Sequence, residues 1–171
     1  MKESNSNLVT IGQIKDVLTN HKIWLSVAES LTCGKLQSNL GEVSGISQCF
    51  KGGITAYTIN EKVKFLKVDK QEAKKVNCVS QSIANQMAKG VSIMFDSEIG
   101  IGTTGYAEKY EYHKPHAYFS VYMKKNNSEG NVIIEDRING EGKNRTEFQI
   151  HIVDTIFNKL LAYLIDNSET L

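Results

Sequence analysis

The sequence predicts a three-layer α/β/α domain on a mixed sheet, with a single domain over residues 9–171 behind a flexible tail at residues 1–8. Two observations carry that expectation. In the first half of the chain, apolar residues at helical spacing alternate with short β-branched and aromatic runs, the pattern of strands joined by covering helices. Further on, two strand-like runs stand close enough to pair as an antiparallel hairpin, and a long apolar-striped helix closes the chain.

The elements follow in order. Residues 1–7 are rich in Ser and Asn and read as a tail. From Thr10, the apolar positions Ile14, Val17 and Leu18 recur at helical spacing as far as Asn20. Residues 23–28 (I-W-L-S-V-A) form a buried strand, a turn follows at Glu29–Ser30, and a helix covers residues 32–40 before Gly41 and Gly45 break it. Residues 49–57 read as a strand interrupted at Gly52–Gly53, and residues 60–66 and 70–76 as two short charged helices. Ser80 is placed to cap a helix that carries Ile83, Met87, Val91 and Met94 on one face. Ile99 and Ile101 alternate with Gly100 and Gly102, so one face of that strand is small enough for a backbone to approach closely. Residues 116–123 and 132–134 are two more strands joined across residues 124–131, and Ile152, Val153, Ile156, Phe157, Leu160, Leu161 and Leu164 form the stripe of the last helix.

Bulk properties narrow the function. A chain of 171 residues buries roughly 70% of its unfolded surface and needs no disulfide or metal to hold it. The net charge of +1, with both signs interspersed, supplies no field for nucleic acid or an anionic membrane. Cys33, Cys49 and Cys78 include no C-x-x-C pair, which argues against a zinc knuckle or a dithiol redox site, and free thiols suit a reducing compartment. The polar first residues lack a secretory signal, and no run approaches the about 18 apolar residues of a membrane span. The expectation is a cytoplasmic protein with a small-molecule partner.

Two segments offer chemistry. In Ala28-Glu29-Ser30-Leu31-Thr32-Cys33-Gly34 a strand ends and a helix begins within a few residues of a serine. Unpaired amides and the helix dipole at such a junction favour an anion or a developing oxyanion; equally, Ser30 or Thr32 could simply cap the helix. In Gly52-Gly53-Ile54-Thr55-Ala56-Tyr57-Thr58-Ile59-Asn60-Glu61-Lys62 a strand leaves through a tyrosine toward a lysine at a helix start. A neutral lysine can take a serine proton, whereas Lys62 beside Lys64 and Lys67 could also be one side of a solvated helix. His113, His116 and Glu111 lack the spacing of a metal site and read as loop surface, and Gly100-x-Gly102-x-x-Gly105 lacks the following helix and acidic residue of a dinucleotide fingerprint.

Together these segments resemble the CinA C-terminal domain family, the nicotinamide-nucleotide amidohydrolases. The family's Ala-Glu-Ser-x-Thr-x-Gly signature is matched by Ala28, Glu29, Ser30, Thr32 and Gly34. Its Gly-Gly-x-x-Ala-Tyr strand with a following lysine is matched by Gly52, Gly53, Ala56, Tyr57 and Lys62, and its Val-Ser helix start by Val79–Ser80. Thr104, Gly105 and Ala107 match its Thr-Gly-x-Ala strand end, and Lys114–Pro115 precede the next strand. The resemblance implies a mixed, roughly five-stranded sheet and hydrolysis of the carboxamide of nicotinamide mononucleotide to nicotinate mononucleotide and ammonia. It implies Ser30 as nucleophile, Lys62 as general base and Tyr57 as proton-transfer assistant. Thr32, Cys33, Gly34, Thr104 and Gly105 would hold the oxyanion or the substrate. It implies no metal and no organic cofactor, and it is compatible with a homodimer.

The chain departs from the family pattern at defined places. Cys33 stands where a glycine is usual, and Ile59 where an asparagine is usual. The family's Gly-Ile-Ala-Gly-Pro-Gly-Gly loop is here Gly105-Tyr106-Ala107-Glu108-Lys109-Tyr110-Glu111. Glycines can wrap closely around a substrate and bulky or acidic side chains cannot, so Glu108 and Glu111 would repel a phosphate unless Lys109, Lys114 or Arg145 offsets them. Three readings therefore stand: an amidohydrolase with a serine–lysine mechanism acting on nicotinamide mononucleotide or a related small amide, a re-specialised relative that binds another ligand or partner through a remodelled pocket, or a hydrolase of a different, less anionic substrate.

Overall fold

A computed structural model describes residues 3–125 and 128–171 of the chain. It opens with helix α1 (Glu3–Asn20), and strand β1 (Leu25–Glu29) leads to α2 (Lys35–Gly41). After a single 3-10 turn at Ile46–Gln48 come β2 (Phe50–Thr55), α3 (Ile59–Leu66), α4 (Lys70–Lys75) and α5 (Gln81–Phe95). Strands β3 (Ile99–Tyr106), β4 (His116–Lys125) and β5 (Ser128–Asn139) precede α6 (Arg145–Asp166). The sheet order is β2-β1-β3-β4-β5. β1 runs parallel to both β2 and β3, whereas β4 is antiparallel to β3 and β5 to β4.

Two hydrophobic layers cover the sheet. Ile11, Ile14 and Leu18 of α1, Leu36 and Leu40 of α2, and the α6 stripe Phe148, Ile152, Ile156, Phe157 and Leu160 pack on one face, against Leu25 and Val27. Leu66 of α3, Ala73 of α4, and Ile83, Met87 and Val91 of α5 pack on the other, with Ala28. Every residue of β1 is buried, as a central parallel strand covered on both sides requires. The small face expected of β3 is filled by α5. A Cβ at Gly100 would lie 2.1 Å from the Ala88 carbonyl oxygen, and one at Gly102 would lie 2.5 Å from that of Ala84. Helix α6 is opened by a capping box, Asn144 accepting from the Glu147 amide and Glu147 from the Asn144 amide.

Several boundaries differ from the sequence expectation. α1 starts at Glu3 rather than near Thr10, within the segment read as a tail, because the turn around Asn7 is held from the side: its amide bonds Asn39 of α2 and Asp154 of α6. β2 runs unbroken through Gly52–Gly53, which pair with Ser26 and Val27; the irregularity falls instead at the Leu25/Ser26 step. On α5 the inward position after Val91 is taken by Phe95, and Met94 is exposed. β5 is far longer than residues 132–134, since an edge strand with one solvated face carries polar residues that hide its extent. Pairing reaches Lys125 and Ser128, which shortens the connection expected over 124–131; residues 126–127 lie outside the described residues. Among the described residues no helix is long and apolar enough to cross a membrane.

Candidate active site

The turn after β1 is shaped by a buried carboxylate. Glu29, at 0% exposure, accepts the amides of Gly34 (3.0 Å), Leu36 (3.1 Å) and Gln37 (3.0 Å), with the Gln37 side-chain amide at 3.2 Å. It thereby satisfies the unpaired amides at the start of α2 and sits at the positive end of its dipole. Cys33 (φ 51) and Gly34 (φ 91) are both left-handed, so the chain reverses sharply and leaves Ser30 at the end of the strand. The turn is pinned by Gln149, which donates to the Leu31 carbonyl at 2.6 Å, and by a Thr32–Thr103 hydroxyl pair at 3.0 Å.

Lys62 meets Ser30 from the other side. It lies in the first turn of α3, and a helical side chain leans toward the N-terminus of its helix, here back over the loop that follows β2. Its Nζ is 2.9 Å from Ser30 Oγ and donates to the Tyr57 carbonyl at 2.8 Å. Lys62 is 1% exposed, while Lys64 and Lys67 are exposed, so the solvated-face alternative holds for those two and not for Lys62. Burial pulls its pKa down from 10.5 to about 8, against weaker upward pulls from Cys78 and Glu61. At neutral pH about a tenth of such an amine is uncharged, the form able to take a proton.

The pair opens into a cavity of about 550 Å³ whose walls include Asn77, Thr104, Gly105 and Tyr106. Thr104 donates to the Cys78 carbonyl at 2.6 Å, fixing the facing wall. The phenol of Tyr57 is half exposed, and its oxygen accepts from Arg145 Nη2 at 3.0 Å. Tyr57 therefore contributes its main-chain carbonyl to Lys62, and its hydroxyl belongs to the cavity mouth. Arg145 also pairs with Glu108, 2.5 Å away. The loop that replaces the glycine run is a tight bridge between Tyr110 and His113, with both rings stacked on Tyr106 at 5.1 and 5.0 Å.

The sequence-derived set is thus brought together in part. Ser30, Tyr57, Lys62, Thr104 and Gly105 line the cavity, whereas Thr32, Cys33 and Gly34 do not. The Cys33 and Gly34 amides already donate to the Ser30 carbonyl and to Glu29. Among the described residues the Leu31 and Thr32 amides have no acceptor, which makes them the turn's free donors. The expected anion site at the start of α2 is corrected accordingly: Glu29 already fills it. Glu29 was missed as a cap, although an acidic residue just ahead of a helix start is the signal for one. Among the described residues no cluster of His, Cys, Asp and Glu could hold a metal ion.

Comparison with known proteins agrees with this fold. The model of the CinA C-terminal domain matches residues 9–164. A CinA-like protein of Picosynechococcus sp. is 43% identical over 94 residues, 55% of this chain and 22% of that protein. A putative competence-damage inducible protein of Natranaerobius thermophilus is 37% identical over 94 residues, 55% of this chain and 23% of its own length. The matched part is thus less than a quarter of these relatives. Among solved structures, the competence/damage inducible protein CihA from Agrobacterium tumefaciens superposes with a TM-score of 0.84 at 25% identity, over 91% of this chain and 94% of that one. A CinA superfamily protein from Escherichia coli gives a TM-score of 0.82 at 24% identity, over 91% and 88% of the two chains, a likeness of fold.

Proposed function

The chain belongs to the CinA C-terminal domain family, and on that basis we propose that it is an amidohydrolase using Ser30 as nucleophile and Lys62 as base on a small carboxamide of the nicotinamide nucleotide type. The observation that carries the reading is the buried 2.9 Å contact between Lys62 Nζ and Ser30 Oγ, with an amine whose pKa burial lowers to about 8. In this mechanism uncharged Lys62 accepts the Ser30 proton as Oγ adds to the amide carbonyl. The oxyanion forms at the Leu31 amide, with the Thr104–Gly105 wall holding the substrate. Lys62 then returns the proton to the departing nitrogen, ammonia leaves, and water activated by the same amine releases the carboxylate from Ser30. The Tyr57 carbonyl keeps the amine aimed at the serine.

Nicotinamide mononucleotide is the substrate the family likeness supplies, and the cytoplasm the compartment its free thiols suit. Ammonia release from that nucleotide by the purified chain, lost in Ser30→Ala, is the expected result. No release from it or from a panel of small carboxamides at high protein concentration would refute the reading. A second reading, ligand binding without turnover, is favoured by the Tyr110–His113 clamp that replaces a glycine loop; hydrolysis dependent on Lys62 would end it.

A further inference from the structure

The mouth of the cavity holds an ion pair that bears on which carboxamide enters. Three charged side chains line the cavity: Lys62, Glu108 and Arg145. Lys62 lies at its base, bonded to Ser30 and Tyr57. Arg145 donates through one nitrogen to Glu108 and through the other to the Tyr57 hydroxyl. Of the two other basic residues near the loop that could have offset its acids, Lys114 is paired with Glu141 at 2.9 Å, and Lys109 is exposed and outside the cavity lining. Every lining cation thus already has a partner.

We propose that Glu108 is a specificity residue: it occupies Arg145 as the cavity's built-in anion and turns the Ser30 site toward carboxamides without a phosphate and away from phosphorylated ones. A phosphate dianion that sought Arg145 would have to displace the Glu108 carboxylate and then share the same mouth with it, a like-charge contact in a partly enclosed space. A ligand whose charge is only the pyridinium cation meets no such opposition. It finds one acidic side chain and the aromatic side chains of Tyr57, Tyr106 and Tyr110 along the walls. Lys74 and Lys75 lie outside this cavity, in an adjoining space of about 490 Å³ that shares Asn77, Val79, Tyr106 and Tyr110 with it and includes Glu111.

The inference rests on the amidohydrolase reading for its chemistry, so its test reads binding. The probes are nicotinamide riboside and nicotinamide mononucleotide, which differ only by the phosphate, titrated calorimetrically into the Ser30→Ala chain with and without Glu108→Gln. The riboside is expected to bind several-fold more tightly, and Glu108→Gln should move the ratio toward the mononucleotide by roughly fivefold, the scale of an exposed ion pair. Arg145→Gln, which leaves Glu108 unpaired, should move it the other way. Tighter binding of the mononucleotide in the presence of Glu108, a ratio indifferent to Glu108→Gln, or no binding of either probe would overturn the inference. If the ratio shifts as expected but the Ser30-intact chain releases no ammonia, the hydrolytic reading fails and the specificity role stands. If ammonia is released and the ratio stays fixed, the reverse holds.

Discussion

Replacing Lys62 by methionine should stabilise the fold at neutral pH and lose that advantage in alkali. The wild-type amine is 1% exposed and its pKa falls from 10.5 to about 8 on folding. At about 1.4 kcal/mol per tenfold, keeping it protonated inside the protein disfavours folding by about 3 kcal/mol. Below about pH 8 both folded and unfolded chains carry the proton, and the full penalty applies. Between 8 and 10.5 only the unfolded chain keeps it, so wild-type stability rises with pH; above 10.5 neither does, and the penalty is gone. Lys62→Met removes the titration and also orphans the Tyr57 carbonyl, a loss of about 1–2 kcal/mol that does not titrate. The difference in unfolding free energy between variant and wild type should therefore fall by about 2 kcal/mol from about pH 7 to about pH 9.5. Urea unfolding of both proteins at the two pH values measures it, and packing changes cancel in the comparison. The same difference at both values would show that Lys62 is not held near 8 and would remove the argument for a neutral base.

Under the proposed mechanism, in which uncharged Lys62 is the base, kcat/KM should rise with pH through about 8; a flat profile from about pH 6 to about pH 9 contradicts it. Glu29→Ala should destabilise by about 3–5 kcal/mol, because the Gly34, Leu36 and Gln37 amides lose their acceptor inside the protein; a loss below about 1 kcal/mol in urea unfolding would show that the cap is dispensable. Gly100→Ala should lower the melting temperature sharply, since its Cβ would sit 2.1 Å from the Ala88 carbonyl oxygen and only a shift of α5 could relieve it. Cys33→Gly should raise stability by about 0.5 kcal/mol by relieving a left-handed non-glycine residue at φ 51; thermal unfolding decides, and a clear loss would show that the thiol packs.

Much of this site was legible because its residues stand at element ends that the sequence marks. Ser30 follows a short apolar run, and Lys62 follows the next one. The burial of Lys62 was also encoded, though less visibly. Ile59, Lys62 and Leu66 fall on one stripe of α3, inward with Lys62 and Leu66 fully buried, while Lys64 and Lys67 fall outside it. A cluster of lysines hides that difference unless the helix register is known to within one residue. Arg145 was one of three cations that could offset Glu108, and the choice among them could not be read, since 37 positions separate the pair and each member belongs to an exposed segment whose direction only the fold sets. β5 was underestimated for a related reason: its solvated side gives Ser128–Asn139 a mostly polar composition. The turn that makes Cys33 left-handed was half visible, as a position where the family carries glycine.

The topology explains why the chemistry gathers at one place. β1 connects to β2 through α2 on the α1/α6 face, and β2 returns to β3 through α3, α4 and α5 on the other face. Connections that leave β1 in opposite directions open a crevice at the carboxyl ends of the parallel strands, and Ser30, Tyr57 and Thr104–Gly105 stand at the ends of β1, β2 and β3 respectively. In many such crevices the following helix binds an anion with its first amides. Here Glu29 takes that role from within the chain, which has two consequences. The α2 amides cannot seat a substrate phosphate, and the positive end of the α2 dipole is neutralised before it can act on Lys62. What lowers the lysine is then burial itself, the largest of the influences on it. The pKa of Lys62 is therefore set by how completely the α3 helix closes over it, so a substitution such as Leu66→Ala, which loosens that packing without touching Ser30, should raise the Lys62 pKa and move the rising limb of the rate profile to higher pH with it.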